Sequence, residues 1–151
     1  MLNASEYKEG KVFGHEVIIN EKKFRIVVIR YKDQLYCLGG VCAYDGKTML
    51  SEGVVFGDKL MAPDNGSAYS IINGQVEHGP SIDNIPIFDT KIDQNGKLLV
   101  FIPDVPPKRI KPLITGRDFN DLRRVVILGS DPAVISCAES LRHFEYSVQE
   151  I

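Results

Sequence analysis

The chain is poor in the residues that most site chemistry uses. Three cysteines (Cys37, Cys42, Cys137) and three histidines (His15, His78, His143) are scattered over 151 residues. Three cysteines so spaced form no disulfide framework, which points to a reducing compartment. Positive charge is not in excess: 18 Lys and Arg against 20 Asp and Glu give a net charge of −2. That balance argues against nucleic acid and against an anionic membrane surface as partners. No apolar run approaches the ~18 residues of a membrane span. The first ten residues are polar and carry two Glu, unlike a secretory signal or an Arg-rich transit peptide. The expectation is that no cleavable presequence precedes them. No Ser/His/Asp, Cys/His or paired-carboxylate arrangement stands at useful spacing, so no enzyme is expected.

What is present is a globular chain, 44% hydrophobic and 25% charged, long enough for one domain of ordinary size. Its first hundred residues read as strands and turns. Val17 to Ile19, Phe24 to Ile29 and Leu35 to Leu38 are short β-branched runs separated by the polar turns Asn20 to Lys23 and Lys32 to Gln34. Gly57-Asp58 joins Val54-Val55-Phe56 to Lys59-Leu60-Met61 as a tight hairpin. Ala68 to Ile72 is a further strand. Ile87 to Ile92 and Leu98 to Ile102 flank Asn95-Gly96, which predicts a type I′ turn. The expected fold is mainly β, a sandwich of small antiparallel sheets.

Two loops interrupt this pattern: Cys42-Ala43-Tyr44-Asp45-Gly46, and Ala62-Pro63-Asp64-Asn65-Gly66. Leu50-Ser51-Glu52-Gly53 and Gly57-Asp58 lie between them, and Gly74 and Gly79-Pro80 follow. This frame resembles the two-loop pattern of Rieske domains, C-x-H and then C-x-x-H. A Rieske [2Fe–2S] centre is held by two Cys and two His. Here the ligand positions differ. Tyr44 stands for the first His, Ala62 for the second Cys and Asn65 for the second His, and Cys42 alone is kept. A methyl group binds no iron, an Asn amide and a neutral phenol are poor ligands for a soft centre, and one thiolate cannot hold two irons. The resemblance implies a Rieske fold without its cluster, with no cofactor, metal or catalytic residue. Tyr44 and Asn65 are expected to hydrogen-bond across the space the cluster would fill.

Residues 103–122 change character. Pro103, Pro106, Pro107 and Pro112 interrupt any ladder, and Lys108, Arg109, Lys111 and Arg117 add positive charge. This reads as an exposed, semi-extended linker, its charges either solvated or set against an acidic partner. Residues 123–151 change again. Arg124 to Leu128 is an apolar run, Gly129 to Val134 a turn, with Pro132 suited to a first helical position. Ile135, Ala138, Leu141 and Phe144 then recur as a helical stripe over Ile135 to His143. This is the order of a Rossmann βα unit, whose G-x-G-x-x-G/A turn cradles a pyrophosphate. Gly129 is kept, but Asp131 and Val134 occupy the second and third Gly positions. A carboxylate about 4 Å from a phosphate charge costs roughly 4 kcal/mol at an effective dielectric of ~20. The acidic residue that would hold a ribose falls beyond Ile151. The expected organisation is a Rieske-like domain over 1–102, a Pro/basic linker over 103–122 and a Rossmann fragment over 123–151.

That order is similar to the apoptosis-inducing-factor-like flavoproteins, in which a Rieske domain precedes FAD- and NAD-binding domains. Arg117-Asp118, Asp121, Arg123, Val125-Val126-Ile127 and Ser136 to Arg142 carry the resemblance at the start of the flavin domain. The function expected from it is non-catalytic: an accessory subunit of a larger assembly, a mitochondrial respiratory-chain complex, contacting other subunits in part through residues 103–151. The alternative is a cluster-free small subunit or split component of a reductase, with a cytoplasmic location. The remaining tempting residues have plain readings. Cys37 and Cys137 are expected in the core, His78 in a turn, His15 and His143 on the surface, and Asp58 and Asp64 as solvated turn carboxylates.

Overall fold

The computed structural model describes residues 3–111 and 125–143, the side chains of residues 142 and 143 excepted. They belong to two compact units, one ending at Ile110 and one beginning at Lys111. The first unit is all β apart from two single 3₁₀ turns, Ala4–Glu6 and Leu50–Glu52.

β1 (Val12–Ile19), β2 (Lys22–Tyr31) and β3 (Gln34–Gly39) form the antiparallel meander. Its two-residue turns, Asn20-Glu21 and Lys32-Asp33, have positive φ at both positions, from 48° to 63°. That is the mirror-image turn whose twist suits a hairpin, built here without glycine. The run Ile26-Val27-Val28-Ile29 is buried throughout because β2 lies between two apolar clusters. Side chains alternate across a strand, so Val27 and Ile29 join Leu38, Leu60, Tyr69 and Ile71 on one side. Ile26 and Val28 join Tyr7, Cys37, Phe88 and Leu98 on the other.

β4 (Val54–Phe56), β5 (Lys59–Met61), β6 (Ala68–Ser70) and β7 (Val76–His78) make the second sheet, in that order. β8 (Ile87–Ile92) returns to the first sheet beside β3, and β9 (Leu98–Phe101) completes the order β1-β2-β3-β8-β9. The connection from β7 to β8 depends on Gly74. Its φ is +72°, and a Cβ there would lie 2.3 Å from the Ile85 carbonyl oxygen. Ile85 N–H donates back to the Gly74 carbonyl at 3.0 Å. No other residue has both the backbone freedom and the missing side chain.

Three local expectations differ from the structure. Asn95-Gly96 is not a type I′ turn, since only Gly96 has positive φ (+76°). The Asp93 carboxylate accepts from the Asn95 and Lys97 N–H groups, both at 2.8 Å, and fixes a longer turn ending in a left-handed glycine. His78 is not in a turn but ends edge strand β7. The stretch 103–110, read as linker, is tied to the β unit. Asn20 Nδ2 donates to the Asp104 carbonyl (2.9 Å), and Asn84 and Ile110 exchange two backbone bonds of 2.8 Å. Arg109 reaches Asp83 at 2.9 Å. These contacts join residues far apart in sequence, so a local reading of Pro and charge misses them.

In the second unit one helix, α1 (Pro132–His143), stands where the stripe predicts it. Its less exposed face carries Val134, Ala138 and Leu141, while Ile135 is 46% exposed. Cys137, on the flank of that face, is exposed rather than core. The expected strand is not seen: Val125 makes a single bridge and 126–130 follow no regular ladder. Phe144 and the stretch Arg117 to Arg123 lie outside the described residues.

Cys37 is fully buried, and burial pushes its thiol up to about 12. Cys42 is equally inaccessible. Ellman's reagent is therefore expected to titrate Cys137 quickly and the other two thiols only after denaturation, because the thiolate is the reactive form. Three fast thiols in native protein would contradict the packing of β3 and the loop that follows it.

Candidate functional site

Loop one leaves β3 at Gly39-Gly40 and loop two links β5 to β6, so the sheets themselves bring the loops together. Each is held by its own backbone. Cys42 N–H donates to the Thr48 carbonyl (2.9 Å), Gly46 N–H to the Cys42 carbonyl (3.0 Å), and Ala62 N–H to the Ser67 carbonyl (2.8 Å). In loop one the Asp45 carboxylate accepts from Lys47 N–H, Thr48 N–H and the Thr48 hydroxyl at 2.9, 3.0 and 2.6 Å. These bonds, led by that from Thr48, hold its pKa below the usual carboxylate range. Thr48 Oγ1 also lies 3.1 Å from Asp64 Oδ2, so Asp64 ties loop to loop instead of being merely solvated. Asp58 accepts Ile71 N–H through its carbonyl (2.9 Å).

The centre of the clamp is polar, but its partners are not the pair expected. Asn65 Nδ2 donates to Cys42 Sγ at 3.5 Å, while Asn65 Oδ1 accepts Ser67 N–H at 2.9 Å. Tyr44 takes no part, and its side chain is exposed (43%). The second partner is Tyr69, which the sequence reading missed. It is fully buried; its Oη lies 3.2 Å from Cys42 Sγ and accepts Ala43 N–H at 3.0 Å. Burial first, then the bond to Cys42, pushes the Tyr69 hydroxyl above its ordinary pKa, so it stays protonated. The only available sequence signal was a tyrosine in the strand directly after loop two, where a ring with a polar tip needs a buried partner.

Tyr69→Phe therefore leaves the Ala43 N–H without its acceptor. A buried unsatisfied donor costs about 1–3 kcal/mol. The expected result is a drop of that size in denaturant unfolding, with faster amide exchange at Ala43 and little change in β8 and β9. Unchanged exchange at Ala43 would show that Tyr69 does not hold loop one.

Tested against the fold's usual group, the residues do not fit. A [2Fe–2S] centre of this kind needs two thiolates and two imidazoles. The clamp offers one thiol, committed to Tyr69 and Asn65, a methyl at Ala62 and an exposed phenol at Tyr44. Among the described residues no three His, Cys, Asp or Glu are grouped as metal ligands. His15 is in β1, with Nε2 3.0 Å from the Tyr7 hydroxyl, and burial lowers its pKa. His78 is exposed at the end of β7.

The turn over Gly129 to Val134, read from sequence as a broken dinucleotide fingerprint, is closed on its own chain. Asp131 Oδ1 accepts the Val134 N–H at 3.1 Å, so the N-terminus of α1 is capped by a carboxylate from its own chain. A Cβ on Gly129 would lie 2.7 Å from Val134 Cγ2. One donor of the helix N-terminus, the Val134 N–H, is taken, and the charge beside it has the wrong sign for a phosphate.

No protein-family model matches the chain. Two curated proteins named apoptosis-inducing factor 3, from Homo sapiens and Mus musculus, are each 22% identical over 129 residues. That alignment covers 82% of this chain and 21% of theirs, so the chain spans about a fifth of their length. Among solved structures, a complex of oxygenase and ferredoxin of carbazole 1,9a-dioxygenase matches at 25% identity and a TM-score of 0.58. The match covers 67% of this chain and 98% of that one. A ferredoxin from Sphingomonas yanoikuyae B1 gives 20% identity and a TM-score of 0.58, covering 67% and 94%. The fold is thus mainly β and of the Rieske-type ferredoxin kind, and the chain bears a weak similarity to apoptosis-inducing factor 3.

Proposed function

We propose that this chain is a non-catalytic accessory subunit of a larger assembly, a mitochondrial respiratory-chain complex, built on a Rieske fold that has lost its cluster. One observation carries the reading: the sole surviving cluster thiol, Cys42, is buried and hydrogen-bonded to Tyr69 and Asn65. A clamp closed on itself keeps its shape without the metal, and what is left to it is surface. The helix N-terminus capped by Asp131 supports the same view of the second unit, as one that binds no dinucleotide. Residues 103–151 are assigned a share of the subunit contacts. The mitochondrial setting rests on the resemblance to the apoptosis-inducing-factor-like family alone.

A second reading is favoured by a different observation. Two of the matching structures are named as complexes of a ferredoxin with an oxygenase. A cluster-free partner, or split component, of a single reductase would use the same fold to dock.

The test is native-size isolation of the tagged chain from its source cells, with iron measured on the product. Co-migration with respiratory-chain subunits and no bound iron is the expected result. Migration near 16.9 kDa, or with one reductase, would overturn the assembly reading. Stoichiometric iron would overturn the loss of the cluster.

A further inference from the structure

The first sheet ends on β1, and no strand among the described residues pairs with its outer side. β1 is eight residues long, against three for β4 and β7 and four for β9, the other strands at sheet ends. Its turn into β2 decides which backbone groups are left over. The residues flanking a two-residue hairpin turn exchange both their backbone bonds, and such pairs alternate along an antiparallel ladder. Ile19 and Lys22 flank Asn20-Glu21, so Ile19, Val17, His15 and Phe13 bond to β2. The N–H and C=O groups of Ile18, Glu16, Gly14 and Val12 therefore point outward, and none of them has a backbone partner among the described residues.

That edge is undefended. Free edges are blunted by brevity, proline, lysine or a bulge. β1 contains no proline and no lysine, and it pairs with β2 in unbroken register. Its one acid, Glu16, is neutralised by Lys23 at 2.8 Å and Arg25 at 3.7 Å on β2. Ile18 stands 74% exposed on the same strand.

The edge is complementary to itself. A two-fold axis pairs β1 with its own copy antiparallel, and the outward groups must then face one another. Two alignments keep nearly the whole strand in contact. An axis at Glu16 sets that carboxylate directly opposite its copy, where like charges repel. An axis at His15 sets Val12 against Ile18 and Gly14 against Glu16 in the bonded pairs, with Phe13 against Val17 between them. No like charges are opposed, and an aromatic meets a β-branched side chain, a favoured cross-strand pair. His15 faces its copy, and burial lowers its pKa from the ordinary value, so the facing rings are uncharged at neutral pH.

We propose that the chain forms a symmetric dimer in which β1 of one copy pairs antiparallel with β1 of a second about an axis at His15, joining the two five-stranded sheets into one. Neither the accessory role nor the loss of the cluster is needed for this interface.

The purified full chain should be sedimented over a range of concentrations. A mass of twice 16.9 kDa is expected at the upper end, with slow amide exchange at Val12, Gly14, Glu16 and Ile18. Ile18→Pro deletes one outward donor and leaves the bonds to β2 in place. It is expected to weaken association at least tenfold while the chain still melts cooperatively, whereas Ile18→Ala keeps the donor and should remain dimeric. The register has its own test. Facing Cα atoms of a non-bonded pair stand about 4.5 Å apart, within the span a disulfide accepts. With the exposed Cys137 removed by Cys137→Ser, mild oxidation should link His15→Cys into a covalent dimer and leave Ile18→Cys, which faces Val12, unlinked. If His15→Cys fails to fold, the exchange pattern of the natural chain still decides. A monomer at every concentration, a dimer indifferent to Ile18→Pro, or readier linking through Ile18→Cys would each overturn the proposal. Protection of the β1 amides only inside a larger native complex would overturn it too, by giving the edge to another subunit's strand. The composition of that complex is read separately, so the accessory role stands or falls without this dimer.

Discussion

Leu60→Ala is expected to lower the stability of the β unit by about 2–5 kcal/mol, the range for truncating a buried leucine. Leu60 is 0% exposed and lies on β5, which pairs with β4 on one side and β6 on the other. It belongs to the cluster that joins the two sheets, with Val27, Ile29, Leu38, Tyr69 and Ile71. Deleting three carbons leaves a void that a strand of three residues, pinned by ladders on both edges, cannot close. Domains of ordinary stability have about 5–15 kcal/mol in all, so the loss is a large share, and the melting temperature should fall on the order of 10 °C. The damage should spread along the chain. β5 runs directly into Ala62 and loop two, so the contact between Asn65 and Cys42 should loosen and Cys42 should become reactive to thiol reagents before global unfolding. Ile18→Ala is the control. Ile18 is 74% exposed on an edge strand, and its loss should stay within about 0.5 kcal/mol. Equal effects of the two changes would mean that the sheets do not pack face to face as described.

How much of this was legible depended on the range of the interaction. Phe24 to Ile29 announced a buried strand because every residue is apolar, and β2 is buried on both faces. Gly57-Asp58 marked its hairpin because the signal is local. The Asn95-Gly96 turn was placed correctly and typed wrongly. What decides it is the Asp93 side chain, which accepts two N–H groups that a two-residue turn would have directed elsewhere. β7 escaped because Val76–His78 has one apolar residue and pairs only at a sheet edge. The strand expected at Arg124 to Leu128 failed for the opposite reason: an apolar run is a strand only if a ladder receives it, and 126–130 have none among the described residues. At the clamp, spacing drew attention to the right two loops, and Cys42 and Asn65 do meet there. The other partner of Cys42 was not readable, because Tyr69 meets it only once β6 is laid beside β5.

Tyr44→His, Ala62→Cys and Asn65→His together are expected to turn the chain into a cluster protein. If the clamp is a Rieske frame that has lost only its donors, restoring them should restore binding. The frame favours this. Asn65 and Cys42 already touch across the two loops at 3.5 Å, and Ala62 is buried (4% exposed) with its N–H fixed by Ser67. Tyr44 is exposed, so an imidazole there has room to turn inward. Two thiolates would take one iron and two imidazoles the other. The Tyr69 hydroxyl, 3.2 Å from Cys42 Sγ, would donate to the thiolate, since its raised pKa keeps its proton. Anaerobic reconstitution should then load about two irons and two sulfides per chain, with visible absorption and a paramagnetic signal on reduction, while the natural sequence treated alike retains none. The partial variants are the sharper part of the test. Ala62→Cys alone supplies two thiolates and no imidazole, so the second iron has no protein ligands and the variant should not retain a cluster. Failure of the triple variant in a protein that still melts cooperatively would mean that the loops have moved beyond the geometry the cluster requires. Success would show that the loss lies in three side chains, with the backbone of the clamp preserved by Tyr69, Thr48 and Asp45.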